Sequence, residues 1–190
     1  MLTVVWPSLA FAHSPIEGFE GFYTGFIHPL INPVQFLSLL ALSLMLGLNF
    51  PAKFSAALKL FSLGILIGVG VAFLDWEPTY SELILLGLGC LIAGVAALLP
   101  AYFPTGFLLL PGLMGVMIGI VSLPDPGPLR AMLFTLSGSV IGAVFFLAYL
   151  VTVIGILREK IQAAALDIGL RIIAAWIAAI SILMLALFFA

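Results

Sequence analysis

An all-α membrane bundle of about six transmembrane helices is what this sequence predicts, and three observations predict it. The first is composition: of 190 residues, 64% are hydrophobic and 7% charged, against about 25% charged residues in a soluble domain. With a mean hydropathy of +1.36, the chain carries more apolar surface than one core of this size can hide, so its solvent is lipid. The second is that the apolar residues fall into runs of spanning length. The third is that every interruption between runs holds proline or charge, which a lipid-exposed helix interior avoids.

Taken in order, the runs are Val34–Asn49, Phe54–Leu74, Leu83–Leu99, Phe107–Ser122, Ala131–Ile156 and Ile168–Phe189. A helix needs about 17–25 apolar residues to cross a bilayer. The first and fourth runs are short for that, which suits a small tilt or an extension into the preceding segment. Pro51-Ala52-Lys53 separates the first two. Asp75 to Glu82, with Trp76, Glu77 and Pro78, separates the next. Pro100 to Gly106 and Leu123 to Arg130 follow, and a charged turn at Arg158-Glu159-Lys160 precedes the last run.

Basic residues set the orientation. With the residues before Val34 outside, Lys53, Lys59, Arg158, Lys160 and Arg171 fall near inside loops and only Arg130 falls outside. The positive-inside rule therefore predicts both termini outside. Glu17, Glu20, Asp75, Glu77, Glu82 and Asp125 land outside as well. The expected compartment is a bacterial-type inner (cytoplasmic) membrane or a thylakoid-like one.

Residues 1–12 read in two ways. Leu2 to Phe11 is apolar, and Ala10-Phe11-Ala12 has the small-x-small pattern of a signal-peptide cleavage site. No lysine or arginine precedes it, so a retained interfacial anchor is the other reading. Residues 13–190 form a single helical membrane domain on either.

Inside the runs, small residues recur at helical spacing: Gly64 and Gly68, Gly115 and Gly119, Gly138 and Gly142. Residues four apart share a helix face, and glycine there lets backbones approach closely. Tight helix packing, within the chain or in a homo-oligomer, is the first reading; a cleared substrate path is the second. Ionisable residues at mid-depth are almost missing. Lys59 and Arg171 sit near enough to span ends to reach the inner surface, and the central polar residues are Ser38, Ser43, Thr135, Ser137, Ser139, Thr152 and Ser181. That set argues against a proton-coupled pump and a voltage sensor. A net charge of −2 offers no basic patch for nucleic acid. Cys90 stands alone and makes no intrachain disulfide.

Enzyme signatures are missing too: no phosphate loop, no Cys-x-x-Cys and no His-Glu-x-x-His. Both histidines, His13 and His28, precede the first span, which sets aside haem held inside the bundle. The prediction is a protein that is not an enzyme. Aromatics at span ends, among them Tyr23, Tyr80, Tyr102, Phe22 and Phe26, suit an interfacial belt, or packing against lipid, pigment or protein.

One motif remains. Ala12-His13, then Gly21-Phe22-Tyr23-Thr24-Gly25-Phe26-Ile27-His28-Pro29-Leu30 leading into a Leu/Ala-rich run, resembles the HupE/UreJ family of small membrane proteins. The resemblance implies a cleaved signal, about six spans, and an association with nickel or cobalt uptake for hydrogenase and urease. In that family the motif continues His-Pro-x-x-Gly-x-Asp-His. Here His28 and Pro29 stand, while Asn32, Val34 and Gln35 occupy the glycine, aspartate and second histidine positions. A second family motif, His-Gly-x-Ala-His-Gly, falls on Pro111 to Val116; Gly112 matches, and the histidine positions hold Pro111 and Gly115.

Borderline cations such as Ni²⁺ want several nitrogen or oxygen donors, and valine donates none. What remains is an entrance site of His28 with Gln35 and His13, flanked by Asn32, Glu17 and Glu20. The alternative role for His28 is to anchor a kinked entry between Pro29 and Pro33 through a neighbouring carbonyl or water. Two functions follow. One is a divergent metal-ion or small-solute permease, with a polar cavity near His28. The other is a non-transporting accessory subunit that packs against a larger membrane complex.

Overall fold

The computed structural model describes residues 21–74, 80–100 and 102–189. They form helices α1 (Phe22–Ile31), α2 (Pro33–Gly47), α3 (Phe54–Ala72), α4 (Ser81–Leu98), α5 (Leu109–Val121), α6 (Leu129–Ile161) and α7 (Ala164–Phe188), and no strand occurs among the described residues. A single 3-10 turn, Thr105–Leu108, leads into α5. Helices α3, α4, α6 and α7 are each long and apolar enough to cross a membrane, and α1 with α2, bent by 72°, makes a fifth candidate. Thr105–Val121 is apolar but shorter.

The first predicted run is thus only the second half of a broken helix. The break is local chemistry. Pro33 disfavours helical geometry at the residue before it, and Asn32 is extended (φ −73°, ψ 114°). Pro33 then occupies the first helical position, and the Asn32 Oδ1 accepts hydrogen bonds from the backbone N–H of Val34 (3.0 Å) and Gln35 (3.1 Å).

A charged turn at Arg158-Glu159-Lys160 is not what forms. Helix α6 runs through all three to Ile161, and the chain turns at Gln162, whose φ is 46°. Charge does not break a helix; Arg158 and Lys160 favour its carbonyl end, and the stop needs a left-handed residue.

Helix α2 is the pillar of the bundle. Its residues Ala41–Leu48 are buried on every side, as an all-round apolar helix requires, and α4, α6 and α7 surround it. On one flank α3 lies along α5: methyls at Gly64 and Gly68 would strike the carbonyls of Gly112 and Val116, and methyls at Gly115 and Gly119 those of Phe61 and Ile65. On the other flank α1 lies along α6. Methyls at Gly138 and Gly142 would strike the carbonyls of Phe22 and Phe26, and one at Gly25 that of Thr135. The register advances in the same direction in both pairs, so each is parallel. Helices α4 and α7 run antiparallel, since the Cys90 thiol donates to the Ala178 carbonyl (3.7 Å) while Arg171 Nε donates to that of Ala97 (2.9 Å).

Basic side chains tie one end together. Lys53 Nζ donates to the Phe103 carbonyl and to Thr105 Oγ1, both at 3.1 Å. Arg158 pairs with Asp167 (Nε to Oδ1, 2.6 Å) and donates through Nη1 to the Leu48 carbonyl, joining α6, α7 and the end of α2. The outward faces carry Leu63, Leu66, Trp176, Leu183 and Leu187, all exposed, as lipid contact expects.

Candidate functional site

The break at Asn32 divides the conspicuous motif, with His28 near the end of α1 and Gln35 near the start of α2. His28 stands in the last turn of α1, half-buried, and its carbonyl accepts the Asn32 N–H at 3.0 Å. Pro29 beside it is buried. Gln35 opens α2 with a residue exposure of 0%, and neither its Nε2 nor its Oε1 has a hydrogen-bond partner among the described residues. One turn on, the buried Ser38 hydroxyl donates to the Leu85 carbonyl of α4 (3.3 Å), and Gly89 is small where Ser38 presses against it.

A buried amide without a hydrogen-bond partner costs about 1–3 kcal/mol, and Gln35 has none among the described residues. Leucine would fill the space at lower cost. Broken helices with polar groups at the interruption are how many transporters build binding sites at membrane depth, because only there can unwound backbone be tolerated. The arrangement offers an imidazole, a carboxamide and an amide cap within one helical break.

His13, with Glu17 and Glu20, lies outside the described residues. Among the described residues no group of three His, Cys, Asp or Glu side chains could hold a metal ion. The second motif has a different fate. Gly115 sits at the α3–α5 crossing, where an added methyl would be driven into the Phe61 carbonyl and lie 3.0 Å from the Ile65 nitrogen. A histidine in that place would force the two helices apart. The position to which the resemblance would assign an imidazole is here a packing position.

Several contributors escaped the sequence reading. Gly25 is the tightest approach between α1 and α6, and its spacing of four from Gly21 was the available signal. Phe26 packs against Phe145 (5.7 Å between centroids) and Phe146 (5.3 Å) on α6. Tyr23, Tyr80 and Tyr102 are exposed at helix ends. The Ser139 and Ser181 hydroxyls are buried with no hydrogen-bond partner among the described residues, so α6 and α7 also carry unmet polar atoms.

A bundle of membrane-spanning helices with a polar break in the first of them defines a multi-pass integral membrane protein. The chain matches the family model described as HupE / UreJ protein over residues 1–185, and it belongs to that family. The family is linked to nickel and cobalt transport and comprises transporters and accessory proteins rather than enzymes. No curated protein and no solved structure matches the chain.

Proposed function

We propose that the protein is a membrane permease whose cargo, a divalent metal ion of the nickel–cobalt kind, is handled at the broken first span by His28 and Gln35. The buried Gln35 amide, without a hydrogen-bond partner among the described residues, carries this reading. Imidazole nitrogen and amide oxygen are both donors that such ions accept. They are few and neutral, so binding is weak, and weak binding is what release on the far side requires. The ion therefore keeps most of its waters at this site, with His28 and Gln35 replacing one or two.

The reading takes six spans: α1 with α2, then α3, α4, Thr105–Val121, α6 and α7. Helix direction supports the count. If Thr105–Val121 crosses, α3 and α5 traverse the membrane in the same sense, as do α1 and α6, while α4 and α7 oppose each other. Those are the senses in which the pairs pack. Lys53, Arg158 and Arg171 then gather at one end, which the positive-inside rule assigns to the cytoplasm of an inner membrane, with both termini outside.

The test is uptake of labelled Ni²⁺ or Co²⁺ by proteoliposomes holding the purified chain. Uptake above empty vesicles that falls to background in His28→Ala supports a permease. A second reading, the accessory subunit, draws on one observation: the α5 histidine position is closed by packing at Gly115. Mild extraction, native separation and mass spectrometry of what co-migrates decide between them. Stoichiometric co-migration with a larger complex, together with no uptake, would replace the permease by the accessory role.

A further inference from the structure

We propose that the groove between α4 and α7 at the basic end holds one anionic phospholipid, with its phosphate on the Arg171 guanidinium. The groove has a volume of about 350 Å³ and is lined by Ala97, Leu98, Ile168, Arg171, Ile172 and Ala175. Five of these are apolar and one is a cation; none is acidic. The small side chains of Ala97 and Ala175 make the depression, and Ile172 and Ala175 continue it toward mid-membrane along α7. That is the shape and polarity of an acyl chain below a phosphate.

Arg171 is held for this purpose and left with donors to spare. Its Nε donates to the Ala97 carbonyl at 2.9 Å, which fixes the guanidinium at the groove mouth. The other N–H groups of the fork have no hydrogen-bond partner among the described residues. A carboxylate one turn away could have taken them, because Asp167 and Arg171 are four apart on α7. Asp167 is instead engaged by both Arg158 Nε (2.6 Å) and Arg158 Nη2 (3.3 Å).

The two arginines thus divide the work at this end. Arg158 is committed to the protein, to Asp167 and to the end of α2. Arg171 faces a lipid-sized groove. A basic pocket between helices at a membrane surface is a recognised mode of anionic headgroup binding, and the planar fork matches phosphate geometry. Lys59, also exposed but on α3, does not line this groove and serves as the control.

The test is native mass spectrometry of the purified full chain, titrated with phosphatidylglycerol or phosphatidylcholine of the same acyl chains. The wild-type chain should retain one phosphatidylglycerol with roughly fivefold preference over phosphatidylcholine. Arg171→Gln should bring that preference down to parity, Arg171→Lys should keep part of it, and Lys59→Gln should leave it unchanged. Ala175→Trp keeps the charge and fills the groove, so it should also expel the lipid. No preference in the wild-type chain would overturn the proposal, as would equal losses in Lys59→Gln and Arg171→Gln, or a lipid that survives Ala175→Trp. Each variant is first checked for helix content and thermal unfolding. The proposal needs only a bilayer location, and its readout contains no uptake measurement, so it stands or falls separately from the permease reading.

Discussion

Helices α3 and α5 meet along a seam closed by four glycines, whereas α1 and α2 meet at a break where the side chain of a large polar residue has no hydrogen-bond partner among the described residues. In the first region Gly64, Gly68, Gly115 and Gly119 each face a backbone carbonyl of the opposite helix, leaving no room for even a methyl. In the second, Gln35 is as deeply buried as any core leucine, but neither end of its amide has a hydrogen-bond partner among the described residues. The contrast separates two kinds of burial. One is bought by shape and holds the bundle; the other costs stability and is kept at the interruption of the central helix, where a passing solute could satisfy it. Lipid offers no hydrophobic drive between helices, so close packing on the flanks must supply the rigidity that lets the middle stay imperfect.

Substitutions that spoil the seams should have the largest effect. Gly115→Ala and Gly25→Ala each place a methyl against a carbonyl that cannot swing away, and overpacking of this kind costs about 1–3 kcal/mol. Thermal unfolding in detergent should show a lower Tm for both. Gln35→Leu should do the opposite: deleting the unmet amide should stabilise by about 1–3 kcal/mol while uptake is lost. A rise in Tm with loss of transport is the signature that sets a functional polar group apart from a structural one; a fall in Tm would mean that Gln35 has a stabilising partner.

Asn32→Ala removes the cap that begins α2, with an expected cost of about 1 kcal/mol and reduced uptake, measured in the same two assays. The smallest effect belongs to Gly70→Ala and Gly169→Ala. Nothing lies within 4 Å of a methyl at either position, so helix propensity alone should raise stability, by up to about 1 kcal/mol. If Gly70→Ala destabilised as much as Gly115→Ala, the distinction between seam glycines and open ones would fail.

Much of this architecture is legible in the sequence because periodicity and composition are strong signals. The apolar runs beginning at Phe54, Leu83, Ala131 and Ile168 become α3, α4, α6 and α7, with ends moved by a few residues. The errors have a common cause, which is that helix ends depend on backbone geometry that composition only hints at. Arg158-Glu159-Lys160 looks like a turn because it is charged, but the stop is made by the positive φ of Gln162. Pro29 lies inside α1, while Pro33 starts α2, and it is Asn32 between them that ends one helix and caps the next.

The site was less legible. His28 and Gln35 are conspicuous by type and by motif, but nothing in their spacing says that Gln35 is fully enclosed. Nor does the sequence show that Gly115 is pressed onto Phe61 of α3. That fact depends on which helices pair, and pairing is set by packing across the whole bundle.

The most direct measurement is Ni²⁺ uptake into proteoliposomes by the wild-type chain, His28→Ala and Gln35→Leu, reconstituted at equal density and each shown to be folded. Saturable uptake by the wild-type chain, lost in both variants while Gln35→Leu melts at a higher temperature, is the predicted result. Uptake that persists unchanged in both variants would contradict the assignment of the Asn32 break as the place where cargo is handled.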